Sequence, residues 1–238
     1  MSTSKPGMAP PPTDEASGGQ ALRRSWPRLA LLFAALLLPL WGFGALAEEV
    51  LEGEAFAFDV PLLRLAESLH SPAMDRVFLF FSAIGHGKGV VPFDVVLVVA
   101  LLLLRRHREA LLAGVALAGS GLLNMLAKHA FGRERPSLWM SLAPEHTYSF
   151  PSGHAMGSMT LAAVLVLLAW RTRWRVPLLL LMVPFVVMVG LSRIYLGVHY
   201  PSDILAGWTA AVAWSVGVYM LLYRGGNRPW RAARGEGS

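Results

Sequence analysis

The 238-residue sequence predicts an all-α, polytopic membrane protein: six transmembrane helices, with an interfacial helix between the first and the second. Three observations carry that expectation. Hydrophobic residues make up 55% of the chain and charged residues only 15%, with a mean hydropathy of +0.50. Soluble domains carry about 25% charged residues and do not sustain repeated long apolar runs. The apolar runs here are separated by short loops, and arginine recurs in every second loop. The chain has no cysteine, which excludes disulfides, thiolate nucleophiles and thiolate metal sites.

The elements follow in order. Residues 1–22 are rich in Pro, Gly, Ser and Thr and offer no apolar face to bury, so they read as unstructured. The first apolar run, 29–47, is flanked by Arg23, Arg24 and Arg28. Ala45-Leu46-Ala47 before Glu48 resembles a signal-peptidase site, but the run exceeds the usual apolar segment of about 7–15 residues and approaches the ~20 needed to span, so an uncleaved helix is expected. An acidic stretch at 48–60 follows. Residues 62–69 mix apolar and polar side chains at helical spacing; too short and too charged to span, they read as interfacial. Residues 74–84 either continue that helix or open the next span, and the cluster Gly85-His86-Gly87-Lys88-Gly89 breaks it. The remaining spans are 90–104, 110–126, 155–170, 177–191 and 204–223. Pro39 and Pro184 fall within spans, which lipid-embedded helices tolerate. The expected division is a disordered cytoplasmic tail at 1–25, a six-helix membrane domain at 26–224 and a basic cytoplasmic tail at 225–238.

Charge sets the orientation. Lys5, Arg23, Arg24, Arg28, Arg105, Arg106, Arg108, Arg171, Arg173, Arg175, Arg224, Arg228, Arg231 and Arg234 fall on one side of such a topology: 14 of the 21 basic residues. The positive-inside rule makes that side cytoplasmic and puts both termini there. Trp26, Trp170, Trp174, Tyr223 and Trp230 fit an aromatic belt on the same side. The net charge of +6 reads as orientation and not as nucleic-acid binding, because the basic residues are scattered between apolar runs.

Three outward segments break the charge rule together. Lys128, Arg133 and Arg135 follow the third span; Ser149 to His154 open the fourth; Arg193, His199 and Asp203 lie between the fifth and the sixth. Lys128, Arg135 and Arg193 suit an oxyanion with about two negative charges, and Arg offers a planar fork of donors. Pro151-Ser152-Gly153 precedes a helix whose free N–H groups favour an anion. Gly153 admits close backbone approach, and Ser152 can cap the helix or donate to a phosphate oxygen. His199 and Asp203 are four residues apart, so a helical turn puts them on one face. A carboxylate accepting the Nδ1 proton leaves Nε2 as a nucleophile. His154, at a helix start among the cations, suits protonation of a leaving alkoxide. His70, His86, His107 and His146 have no partner positioned by the sequence, His129 adjoins Lys128 outside the motif residues, and Arg133 adds to the positive field.

These segments resemble the three signature motifs of the type 2 phosphatidic acid phosphatases, a superfamily that also holds vanadium-dependent haloperoxidases and bacterial acid phosphatases. Lys128, Arg135 and Pro136 match the first motif, Pro151 to His154 the second, and Ser192, Arg193, His199 and Asp203 the third. The resemblance covers roughly residues 60–222. It implies a metal-independent phosphatase without cofactor, in which His199 attacks phosphorus, His154 protonates the leaving group and Asp203 holds His199. Lys128, Arg135, Ser152, Gly153 and Arg193 would bind the phosphoryl group. The implied substrate is a membrane lipid phosphate or pyrophosphate, with undecaprenyl pyrophosphate first, and phosphatidic acid and phosphatidylglycerol phosphate next. Phosphotransfer to another acceptor, and lipid transport without turnover, are the rival readings. The implied place is a bacterial inner membrane, with the site facing outward. Oligomeric state is not legible in the sequence.

Overall fold

The computed structural model describes residues 14–223 and 229–230. Over those residues it is all-helical, with α1 (Asp14–Glu52), α2 (Asp59–Ser68), α3 (Pro72–Ile84), α4 (Val90–Leu103), α5 (His107–Phe131), α6 (Gly153–Ala169), α7 (Arg175–Tyr195) and α8 (Pro201–Leu222). The chain divides into two units, 1–34 and 35–238. In the first, the described residues belong to α1 alone. The packing below is that of the second.

Each expected span coincides with a helix. Four segments are long and apolar enough to cross a membrane: Ala30–Glu52, His107–Phe131, Arg175–Tyr195 and Pro201–Leu222. The chain is therefore a multi-pass membrane protein. The other two expected spans, α4 and α6, are shorter apolar helices of 14 and 17 residues. They extend about 21 and 26 Å at 1.5 Å per residue, against roughly 30 Å of hydrocarbon.

The tail differs from expectation. Residues 14–25 are helical, although read as unstructured. Propagation from the apolar part of α1 adds one hydrogen bond per residue without a new nucleus, and Ala16, Gln20, Ala21 and Leu22 are good helix formers. The remainder of that tail, 1–13, lies outside the described residues, as does most of the basic tail. The expected interfacial helix at 62–69 coincides with α2, and 74–84, open between continuing that helix and starting the next span, forms the separate helix α3. Ser71 caps α3, accepting the Met74 N–H at 3.4 Å, and Pro72 fills the first turn, where its missing N–H costs nothing.

α6 is central. It packs against α5, α7 and α8, while α4 lies against α5 and α6, α3 against α7, and α2 against α7 and α8. Its sequence explains the position: Gly153, Ala155, Gly157, Ser158, Thr160, Ala162 and Ala163 let neighbouring backbones approach, the packing mode of helices in lipid. Leu112, Ala113 and Ala116 of α5 meet Val164 and Leu168 of α6 and Val218 of α8 in the largest core cluster. Two polar contacts tie this core, Ser120 to Thr160 between hydroxyls at 2.7 Å, and the Trp214 indole donating to the Ala116 carbonyl at 3.0 Å. Interhelical bonds of this kind contribute about 0.6–2 kcal/mol in a membrane.

Helix direction places the site. α5 and α7 end, and α6 and α8 begin, at one end of the bundle. The arginine-bearing loops 105–108 and 171–175 lie at the other, where Trp230 donates its backbone N–H to Glu109 at 2.6 Å and its indole N–H to the Leu168 carbonyl at 2.7 Å. At the first end Phe43, Phe131 and Phe150 pack ring against ring, with Ala47 and Ala206, and brace the segment leading into α6. Between α7 and α8 the chain turns at Gly197, whose φ of +65° suits glycine. A Cβ there would stand 2.6 Å from the Trp139 ring. The turn leaves no room for a side chain two residues before His199.

Candidate active site

Four helix ends deliver the motif residues. Lys128 stands on the last turn of α5, and Arg133 and Arg135 follow Gly132, where α5 stops. Ser152 caps α6, and Gly153 and His154 are its first residues. Arg193 is on the last turn of α7, and Asp203 on the first turn of α8.

His199 is fully buried just ahead of α8. Arg135 Nη1 lies 3.0 Å from its Nε2 and also donates to the Val198 carbonyl at 2.6 Å. A guanidinium only donates, so Nε2 must accept. The proton then sits on Nδ1, which faces Asp203 Oδ2 at 3.4 Å. Burial holds the His199 pKa well below the ordinary histidine value, and Arg135 and Arg193 push it further down. The imidazole is thus neutral near neutral pH, with its lone pair toward Arg135.

The His199–Asp203 pairing was expected on one helical face. The structure builds it differently. α8 begins only at Pro201 with Tyr200 as its cap, so His199 precedes the helix. Asp203, the third residue of α8, accepts the Tyr200 N–H at 2.9 Å and the Ser149 hydroxyl on Oδ2. Its other oxygen accepts Arg133 Nη1 at 2.5 Å. Arg133 then donates through Nη2 to Asp59 at 3.0 Å. Asp59, from α2, is 2% exposed and also accepts the Ser202 N–H at 2.9 Å and hydroxyl at 2.5 Å. The Arg133 guanidinium covers the Tyr200 ring at 4.2 Å. One arginine between two buried carboxylates fixes Asp203, and Asp203 faces the imidazole.

The motif residues are tied together by a carboxylate that no motif contains. Glu145 pairs with Arg135 at 2.7 Å and with Arg193, and lies 3.6 Å from His154 Nδ1 and 3.8 Å from His199 Nε2. Burial pushes its pKa up, but the positive charges of Arg193, Arg135 and Lys128 outweigh that and hold it below the usual range. Arg193 is 1% exposed, donates to Ser82, and has no hydrogen-bond partner for its Nε–H among the described residues. Three cations, Lys128, Arg135 and Arg193, against one Glu145 leave an excess of two positive charges, the complement of a phosphoryl dianion. A phosphoryl dianion placed among these cations would compete with Glu145 for both arginines. Glu145→Gln is therefore expected to lower the Ki of inorganic phosphate about tenfold, the worth of one charged hydrogen bond. An unchanged or raised Ki in a competition assay would show that Glu145 does not occupy the anion's place.

Placement of the other expected residues is mixed. Lys128 Nζ donates to the Tyr148 carbonyl at 2.5 Å and to the Thr147 hydroxyl at 3.1 Å, on the segment that also holds Arg135. The Ser152 hydroxyl accepts the Ala155 N–H at 3.5 Å, so its observed use is as a cap. A Cβ on Gly153 would sit 3.0 Å from Asn124 Oδ1. Asp59, Glu145 and Ser149 were not anticipated. The sequence did carry a signal for Asp59, which shares a face with Leu63 and Ala66 on α2, all three buried. Two histidines expected to lack partners have them: His70 stacks on Tyr195 with ring centroids 4.3 Å apart, and His86 stands beside His154.

A multi-pass helical membrane protein whose helix ends gather two histidines, a buried carboxylate and an anion-matching set of cations belongs to the class of membrane phosphoryl-handling proteins. Comparison with known proteins makes this specific. The PAP2 superfamily pattern matches residues 109–226. The chain is 30% identical to the undecaprenyl-diphosphatase of Sulfolobus acidocaldarius over 158 residues, 63% of this chain and 72% of that protein. It is 26% identical to phosphatidylglycerophosphatase B of Bacillus subtilis over 156 residues, 63% of this chain and 76% of that one. Among solved structures, the transmembrane PAP2-type phosphatidylglycerolphosphate phosphatase from Bacillus subtilis superposes with a TM-score of 0.70 at 23% identity, covering 79% of this chain and 96% of that one. Aquifex aeolicus LpxE gives 0.58 at 26% identity, covering 69% and 96%. The chain belongs to the PAP2 superfamily and is a membrane phosphatase of the PAP2 type.

Proposed function

We propose that the protein hydrolyses lipid phosphates or diphosphates, undecaprenyl pyrophosphate foremost, through a phosphohistidine on His199. The observation that carries this is the buried imidazole with Nε2 turned to Arg135 and Nδ1 to Asp203. His199 Nε2 attacks phosphorus in line while the bond to the leaving oxygen breaks; His154, whose pKa burial and Arg193 hold low, takes up a proton from solvent as the phosphate dianion binds and gives it to that oxygen. Water then attacks the phosphohistidine, His154 takes a proton from it, and phosphate departs. Arg135, Arg193 and Lys128 stabilise the transferring group, assisted by the α6 N-terminus at Ser152 and Gly153. Positioning and charge supply the catalysis, and no metal is required.

A lipid substrate is supported by the site's place at the end of membrane-spanning helices. An apolar cavity of about 210 Å³, lined by Met159, Ala163, Val186 and Trp208 among others, lies along α6 starting about one and a half turns past His154. The undecaprenyl reading is supported by the name of the Sulfolobus relative, and the phosphatidylglycerol phosphate alternative by that of the Bacillus one. The charge distribution supports six spans, cytoplasmic termini and an outward site in a bacterial inner membrane. Phosphate release from a panel of polyprenyl diphosphate, phosphatidic acid and phosphatidylglycerol phosphate, run with EDTA, tests the reading. Abolition by EDTA would overturn the metal-free mechanism, and lipid binding without phosphate release would favour a transporter.

The pH profile gives a second test. The nucleophile must be unprotonated, and its pKa is lowered, so it stays competent below the ordinary histidine value of 6.5. The acid limb of kcat/KM, which reports the free enzyme, is expected below that value. Arg135→Gln removes a charge that disfavours imidazolium, so the limb moves to higher pH. Ionisation of the substrate is common to both proteins, so the displacement isolates His199; no displacement would separate Arg135 from the imidazole.

A further inference from the structure

His86, outside all three motifs, lies in the turn between α3 and α4, with its ring centroid 4.9 Å from that of His154 and the planes inclined at 37°. The backbone fixes it there. A Cβ on Gly85 would meet a Val189 methyl of α7 at 2.6 Å, and one on Gly89 would meet the Ile84 carbonyl oxygen at 2.2 Å. The His86 carbonyl accepts the Val91 N–H at 3.0 Å, closing the turn onto α4. The side chain itself is exposed, as is Lys88 in the same turn.

The contacts run in sequence across the site. His199 lies against Glu145 and Arg135, Glu145 against His154, and His154 against His86. In an in-line displacement the nucleophile, phosphorus and leaving oxygen lie along one direction. If His199 is the nucleophile and His154 the acid, groups beyond His154 face the leaving group.

We propose that His86 binds the leaving phosphoryl group of a lipid diphosphate. This rests on the reading of the protein as a lipid phosphatase with His199 as nucleophile. A lipid monophosphate departs as an alcohol and presents an uncharged chain at that position. A diphosphate departs as a phosphate monoester when the bridging oxygen leaves with the inner phosphorus, and its non-bridging oxygens need donors. An imidazole N–H held beside the acid supplies one, and Lys88 adds positive charge from the same turn. His86 thereby favours diphosphates over monophosphates.

The test uses the full-length protein in detergent micelles, with farnesyl diphosphate and farnesyl monophosphate as probes sharing one tail. His86→Ala is expected to lower kcat/KM for the diphosphate about tenfold, the loss of one hydrogen bond to a charged group, and for the monophosphate by less than about twofold. His86→Gln, which keeps an N–H donor, is expected to recover most of the diphosphate activity. The monophosphate rate doubles as the control for folding. Equal losses on both probes would make His86 a support for His154 and overturn the proposal, as would no loss on either. Wild-type protein that turns over the monophosphate but not the diphosphate would overturn the diphosphate reading before any variant is made. Wild-type turnover of both with an unchanged ratio in His86→Ala would overturn the role of His86 alone.

Discussion

His199→Ala is expected to lower kcat for phosphate release by at least ~10⁴-fold, because on the proposed mechanism it removes the atom that bonds to phosphorus. The arginines and Lys128 would still gather an anion, so inorganic phosphate should continue to compete with substrate for the variant. Retained binding with lost turnover distinguishes a missing nucleophile from a collapsed site. Rapid quenching with radiolabelled substrate should trap an acid-labile, base-stable phosphoprotein in the wild type and none in the variant. His154→Ala provides the complement. It keeps the nucleophile and loses the acid, so its cost should be about 10²–10⁴-fold and should be larger for an alcohol leaving group than for a phosphate one. A well-folded His199→Ala protein retaining more than about 1% of wild-type turnover would place the nucleophile elsewhere.

Arg133→Ala is expected to be the most damaging substitution away from the phosphate-binding cations. Arg133 is the only cation bonded to Asp59 and to Asp203 among the described residues, and those carboxylates are 2% and 0% exposed. Removing one partner from a buried charge network costs roughly 3–5 kcal/mol, since the remaining charges have neither water nor counter-ion. For a chain of this size that lowers Tm on the order of 10 °C. Activity should fall as well, because Asp203 would lose one of the bonds that hold it opposite His199. A double-mutant cycle with Asp59→Asn separates the two effects. Removing the second charge should restore part of the lost stability and little of the activity. Wild-type Tm in Arg133→Ala would mean that the pair contributes nothing to the fold.

The sequence made the helices and the three motifs legible for different reasons. Apolar runs of spanning length mark helices wherever they occur, so each expected span has its helix, with ends extended by polar residues that complete hydrogen-bonded turns. The motifs were legible because Lys128, Arg135, His154, Arg193, His199 and Asp203 keep fixed spacing at helix termini. Glu145 was not legible. It lies in the segment 132–152, which has no helical or strand period, and its inward direction depends on cations contributed by α5 and α7. Asp59 was obscured by its company, since Glu48, Glu49, Glu52 and Glu54 precede it and the stretch reads as a solvated acidic face. Only its register with Leu63 and Ala66 separates it from them. His86 was read as an ordinary loop residue because nothing local announces a partner 68 positions away.

The Asp59–Arg133–Asp203 network also has a consequence for how the chain is made. Its members emerge from the ribosome at positions 59, 133 and 203, with Ser202 joining 143 residues after Asp59. Synthesis proceeds at about 5–20 residues per second, so Asp59 and Arg133 wait several seconds for the carboxylate and hydroxyl on α8. Until that last helix inserts, their burial is incompletely compensated, and α2 has a reason to remain undocked. Completion of the support around His199 is thus coupled to arrival of the final helix. A nascent or truncated chain that stops short of α8 would leave Asp59 and Arg133 without their Ser202 and Asp203 partners.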